Sequence, residues 1–188
     1  MKKIVLASSS ERRERLLRLT GLDFVVDASD CPESLQQDLT PEQLAMELAY
    51  VKASAVAARH EDALVIGADT IVVLGERVLG KPKDEQEAVE VLMKLGGRWN
   101  RVVTGLCLVD RSRIIRDYCK TEVKFRPIGE EEARGYVAIG EPMDRAGAYA
   151  IQGGACWFVE EVKGDYQNVI GLPLRKLGRM LFDFRVEI

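Results

Sequence analysis

The run ALVIGADTIVVL, residues 63–74, constrains the fold more than any other stretch of the chain. Its apolar, partly β-branched residues make it strand-like, and a carboxylate, Asp69, stands in its middle. A buried carboxylate is costly unless it is hydrogen-bonded or meets a cation. Gly67 and Ala68 precede it and leave room for something to approach. Asp69 is therefore a candidate general base or metal ligand. The structural alternative is a strand-end carboxylate that caps a neighbouring turn.

Short strands and helices alternate around this run. KIVLA (3–7) reads as a strand. ERRERLLRLTG (11–21) reads as a helix closed by Gly21, with Leu16, Leu17 and Leu19 on its apolar face. DFVVD is a second strand, and residues 28–39 a polar loop. Thr40, Pro41 and Gln43 open a further helix as cap, first helical residue and capping-box partner, and Leu44, Leu48, Val51 and Ala55 recur along it at helical spacing. Asp84 and Glu87 start another helix, which ends at Gly96-Gly97. The segments 101–109 and 114–125 flank DRSR as a hairpin. A short helix over 129–140, a strand over 155–164 and a terminal helix over 173–184 complete the pattern. The expected fold is α/β, with a mixed twisted sheet and flanking helices, in a single domain over residues 1–188.

Composition excludes several functions. The 188 residues carry a formal net charge of -3, and basic residues do not interleave with aromatic ones, so no nucleic-acid partner is expected. The N-terminal apolar run is too short for a signal peptide or a membrane span, so the protein is expected to be cytoplasmic, with no membrane partner. Cys31, Cys107, Cys119 and Cys156 form no CxxC pair, and His60 is the only histidine, so zinc spacing is absent. Cys107 and Cys156 lie in strand-like apolar surroundings and read as small core residues.

Other residues point to an anion. Ser8-Ser9-Ser10 joins a strand to a helix, where free backbone N–H groups and the positive helix end make an anion site, although the GxxxxGK[ST] pattern is missing. Arg12 and Arg13 fall in the first helical turn, which disfavours cations unless an anion is near; a plain Ser10 cap with solvated arginines is the alternative. Lys52 lies one turn after Leu48 on the apolar stripe, so its amine must reach water by snorkelling or meet a negative partner. GKPKD places Lys81 and Lys83 around a proline-fixed turn. EPMDRAGAYAIQGG (141–154) is rich in small residues, carries Asp144, Arg145 and Gln152, and holds Tyr149 and Ile151, which call for burial. A phosphorylated small molecule with a divalent metal accounts for these features together.

LASSSERR, LAYVKA, IGADTIVV, LGKPKD, EPMDRAGAYAIQG and VIGLPL occur in the order and spacing of the Maf family of nucleoside triphosphate pyrophosphatases, which the chain resembles over nearly its whole length. The resemblance implies a fold related to inosine triphosphate pyrophosphatases, with a cleft between two lobes. It also implies metal-dependent cleavage of a nucleoside triphosphate to the monophosphate and pyrophosphate, a house-cleaning role, with Mg or Mn as the cation and a homodimer as a family assembly. By position, Asp69 corresponds to the proton acceptor, and Ser8, Arg13, Lys52 and Lys81 to triphosphate ligands. Glu33, with Asp69, corresponds to the metal site, and Arg12, Thr70 and Gln152 to positions tied to base choice. AGAYAIQG, with its glutamine, is similar to the subgroup acting on dTTP and UTP; a glutamine amide can both donate to and accept from the edge shared by uracil and thymine. Alternatives are the same cleavage of 7-methyl-GTP or another modified nucleotide, or a non-catalytic nucleotide sensor that regulates septum formation. Two residues depart from the family pattern: Glu11 replaces a usual proline and Arg145 a usual lysine.

Overall fold

The computed structural model describes residues 2–29, 39–111 and 113–186. It contains β1 (Lys3–Ala7), α1 (Glu11–Arg18), β2 (Phe24–Val26), α2 (Pro41–Ala57), β3 (Ala63–Leu74), β4 (Arg77–Leu79) and α3 (Glu85–Leu95). Then follow β5 (Trp99–Val109), β6 (Ile114–Phe125), α4 (Glu130–Ala138), β7 (Val159–Lys163), α5 (Tyr166–Ile170) and α6 (Leu174–Asp183). The sheet runs β2-β1-β3-β5-β6-β7, with β4 paired to β3. β1 pairs parallel with β2 and β3, whereas β3–β4 and β6–β7 are antiparallel. The sheet is therefore mixed, as the alternating elements imply.

Two compact units divide the chain. The first comprises Met1–Thr70, Thr104–Cys119 and Gly171–Ile188; the second comprises Ile71–Val103 and Lys120–Ile170. The first unit is built by close packing of α2 on the sheet. A side chain at Gly67 would run into the Ala49 carbonyl and Ala53, and one at Gly105 into the Ala45 carbonyl. Glycine in the strands and alanine on the helix thus bring the two backbones together. Val5, Ala7, Val56, Val65 and Cys107 fill the space around this contact. The capping box at the start of α2 forms as expected: Gln43 N–H donates to Thr40 Oγ1 at 3.2 Å, and Thr40 N–H to Gln43 Oε1 at 3.0 Å.

In the second unit, Leu92, Leu95, Phe125, Tyr136, Tyr149 and Phe158 form the core. The Phe125 and Tyr149 rings meet edge to face at 4.9 Å, as do Tyr136 and Phe158 at 5.5 Å. Two buried polar side chains bond each other and the sheet: Tyr149 Oη donates to Asn100 Oδ1 at 3.0 Å, and Asn100 Nδ2 to the Val123 carbonyl at 3.0 Å. Asp84 caps α3 by accepting the Glu87 N–H at 2.8 Å.

Four details differ from the sequence expectation. Leu19 lies past the end of α1 and is 74% exposed, so Leu16 and Leu17 alone carry that face. Val51 is exposed, and the buried face of α2 runs through Leu44, Ala45, Leu48, Ala49, Ala53 and Val56 instead. Ala45, Ala49 and Ala53 lie on this face where Gly105 and Gly67 let the helix approach. Residues 154–158 form a 3₁₀ turn before β7, which leaves Cys156 exposed rather than in a core. The short α5 also precedes the terminal helix.

Candidate functional site

In the first unit, the pairing of β1 with β3 places two chain segments side by side, with Ala7 opposite Gly67. β1 ends there and gives way to Ser8–Ser10 and α1, while β3 continues to Asp69 and Thr70. Ser8 is buried, and its Oγ accepts the Ser10 N–H at 3.2 Å and an Arg13 Nη1 hydrogen at 3.4 Å. Ser10 occupies the cap position of α1 but makes no side-chain cap bond. The turn is thus held by Ser8, two residues before the cap position.

Arg13 joins the two segments. Its Nη2 donates to Thr70 Oγ1 at 3.0 Å and its Nε to the Gly171 carbonyl at 2.9 Å. Thr70 Oγ1 also lies 2.9 Å from Thr104 Oγ1, and Thr104 is buried. Gly171 has φ +125, and a Cβ there would press on Thr70 Oγ1 at 3.3 Å. Thr104 and Gly171 carry this arrangement without having been singled out as site residues. The glycine in VIGLPL and the threonine interrupting the apolar 101–109 strand were the available signals.

Asp69 and Lys52 meet. Lys52 Nζ donates to Asp69 Oδ1 at 2.5 Å, with only 14% and 9% of the two side chains exposed. Gly67 and Asp69 are two residues apart, so they share one face of β3. That is the face on which Ala49 and Ala53 pack, and Lys52 precedes Ala53 on the helix. The lysine thus meets a negative partner rather than snorkelling, and the carboxylate takes a cation rather than capping a turn. Arg12 is partly buried in the first turn of α1.

The remaining candidates lie elsewhere. Lys81 and Gln152 belong to the second unit, where both are exposed. The turn carrying Lys81 is anchored by buried Pro82 and by the Gly80 carbonyl, which accepts the Gly147 N–H at 3.0 Å. Glu33 lies outside the described residues. Among the described residues, no group of three or more His, Cys, Asp or Glu could hold a metal ion. One or two carboxylates nonetheless fit a hard cation of the magnesium type, which keeps water and substrate phosphates as its other ligands.

A family model described as "Maf-like protein" matches residues 3–184. The chain belongs to the Maf family. A dTTP/UTP pyrophosphatase of Bacillus cereus is 44% identical over 188 residues, which is 100% of this chain and 93% of the relative. The dTTP/UTP pyrophosphatase of Bacillus cytotoxicus is 46% identical over 184 residues, covering 98% of this chain and 96% of the relative. A solved structure, the Ham1 protein of Staphylococcus aureus, shares 18% identity and a TM-score of 0.47, covering 66% of this Maf protein and 72% of that chain. Among the described residues of this Maf chain, no helix is long and apolar enough to cross a membrane.

Proposed function

We propose that this Maf protein is a cytoplasmic nucleoside triphosphate pyrophosphatase that hydrolyses dTTP and UTP to the nucleoside monophosphate and pyrophosphate. The observation that carries the reading is the Lys52–Asp69 pair, next in sequence to Thr70, whose hydroxyl accepts from Arg13. A nearly buried carboxylate and two cationic donors, Lys52 and Arg13, belong to one unit, and full-length relatives at 44–46% identity bear the dTTP/UTP pyrophosphatase name.

In this mechanism Asp69 takes a proton from water as the water oxygen attacks the α phosphorus. The bond from that phosphorus to the oxygen bridging the α and β phosphates breaks, and pyrophosphate leaves. Lys52 orients the carboxylate and offers its charge to the phosphates, together with Ser8, Arg13 and Lys81. Charge stabilisation of this kind is the main catalytic requirement in phosphoryl chemistry. Asp69 and Glu33 would hold a Mg or Mn ion, which supplies charge neutralisation and orientation of the phosphates when bound. Arg12, Thr70 and Gln152 act on base choice. The Gln152 amide pairs with the O4 and N3–H edge common to uracil and thymine and disfavours cytosine, whose edge presents the opposite pattern.

The test is product identification after incubation with dTTP, UTP, CTP, GTP, ATP and 7-methyl-GTP in Mg²⁺ or Mn²⁺. The reading predicts pyrophosphate and monophosphate from dTTP and UTP. Turnover of 7-methyl-GTP alone overturns the base assignment, and nucleotide binding without any turnover favours the sensor reading.

A further inference from the structure

Gln152 is exposed on a turn over residues 150–153, which the Gly153 N–H closes by donating to the Ala150 carbonyl at 3.0 Å. An amide carries both donors and an acceptor, so a glutamine free to reorient serves cytosine as well as thymine or uracil. Discrimination by such a side chain depends on how firmly it is held.

Two groups that the mechanism above leaves unused hold this turn from both sides. Tyr136 lies buried in the last turn of α4, with its ring edge to face against Phe158 at 5.5 Å. Its hydroxyl accepts the Ala150 N–H at 3.0 Å and donates to the Glu141 carboxylate. Glu141 Oε2 in turn accepts the Gly154 N–H at 2.9 Å. The amides two residues before and two residues after Gln152 are therefore tied to one carboxylate, the first of them through the tyrosine hydroxyl. Burial, and then the hydrogen bond to Glu141, push the Tyr136 pKa up, so the hydroxyl keeps the proton that the carboxylate accepts.

Further contacts tighten the turn. A Cβ at Gly153 would lie 1.7 Å from Glu141 Oε1, so the carboxylate fills the space that a side chain there would take. Ile151 is buried, and its carbonyl accepts the Tyr166 hydroxyl hydrogen from α5 at 3.4 Å. Water satisfies the amides of an ordinary surface turn and leaves it mobile. Here a buried tyrosine and a carboxylate satisfy them instead, and all these groups belong to the second unit.

We propose that Tyr136 and Glu141 are positioning residues for base choice, which fix the turn that presents Gln152 and so set the preference for thymine and uracil over cytosine. This rests on the base-reading role given to Gln152 above. Both residues act through Gln152, so their effect disappears with its side chain.

The test is calorimetric titration of the full chain with dTMP and, separately, with dCMP, with melting curves run alongside. Wild type is compared with Y136F, which keeps the ring and removes the hydroxyl, with E141L and E141Q, and with Q152A alone and combined with Y136F or E141L. Wild type is expected to favour dTMP, and Y136F and E141L to reduce the dTMP-over-dCMP affinity ratio roughly 3- to 10-fold. E141Q, whose amide oxygen still accepts both hydrogens, is expected to stay within about 2-fold of wild type. In the Q152A background, Y136F and E141L are expected to change the ratio by less than about 1.5-fold. Equal binding of the two ligands by wild type, an unchanged ratio in Y136F and E141L, or the same loss with and without Gln152 overturns the proposal. E141L and E141Q carry the test alone should Y136F fail to fold. Steady-state dTTP hydrolysis by wild type keeps the two claims separate: a dTMP preference that depends on Tyr136 and Glu141 without hydrolysis leaves the positioning roles standing and removes the enzymatic reading.

Discussion

Replacing Lys52 with methionine keeps most of the side-chain volume but leaves Asp69 as an uncompensated carboxylate on the face of β3 beneath α2. Removing one partner of a fully buried pair costs about 3–5 kcal/mol. The pair here retains 14% and 9% side-chain exposure, so some solvent screening remains. The expected cost is therefore about 2–3 kcal/mol, or roughly 4–12 °C in Tm for a chain of this size. Asp69→Asn removes the carboxylate charge that faces the ammonium and is also expected to lower stability. The double variant K52M/D69N removes both charges and is expected to be more stable than the sum of the single losses by about 1.5–2 kcal/mol. Thermal unfolding followed by circular dichroism measures all four corners of the cycle. Additivity within about 0.5 kcal/mol would refute the pairing as an energetic link between helix and strand.

Gly67→Ala forces a methyl group into the Ala49 carbonyl, with an expected destabilisation of about 1–3 kcal/mol by urea unfolding. Thr40→Ala removes the α2 cap and should lower stability by about 1 kcal/mol in the same assay. The Arg59 hydrogen bond, and then that of His60, holds the Asp27 carboxyl below its usual value of 3.8. Its stabilising contribution is therefore present above the unfolded-state value and is lost as pH falls through the lower folded value, so Asp27→Asn should flatten the acid limb of a stability–pH curve. Burial pushes the Cys107 thiol up to about 12, and Cys156 is exposed. A thiol reagent at pH 8 should modify Cys156 quickly and Cys107 only on unfolding, as peptide mapping would show.

Much of the fold could be read from local chemistry. The Thr40–Gln43 box, the Asp84 cap and the 63–74 strand depend on neighbours in sequence, and all three form. Which face of α2 is buried depended instead on Gly67 and Gly105, residues far along the chain whose missing side chains select Ala45, Ala49 and Ala53. The candidate site divides in the same way. Asp69 stood out because a carboxylate interrupts an apolar strand, but its partner was set by how closely α2 packs. Thr104 and Gly171 left only faint signals, a threonine in an apolar strand and a glycine in VIGLPL, because each meets Arg13 or Thr70 across sequence separations that no spacing rule covers.

The most direct test of the proposed chemistry is hydrolysis of dTTP in ¹⁸O-enriched water with Mg²⁺, followed by mass analysis of the products. Attack at the α phosphorus predicts one ¹⁸O atom in dTMP and none in pyrophosphate, with turnover lost in Asp69→Asn. Label in pyrophosphate, release of orthophosphate with dTDP, or full activity in the variant would contradict it.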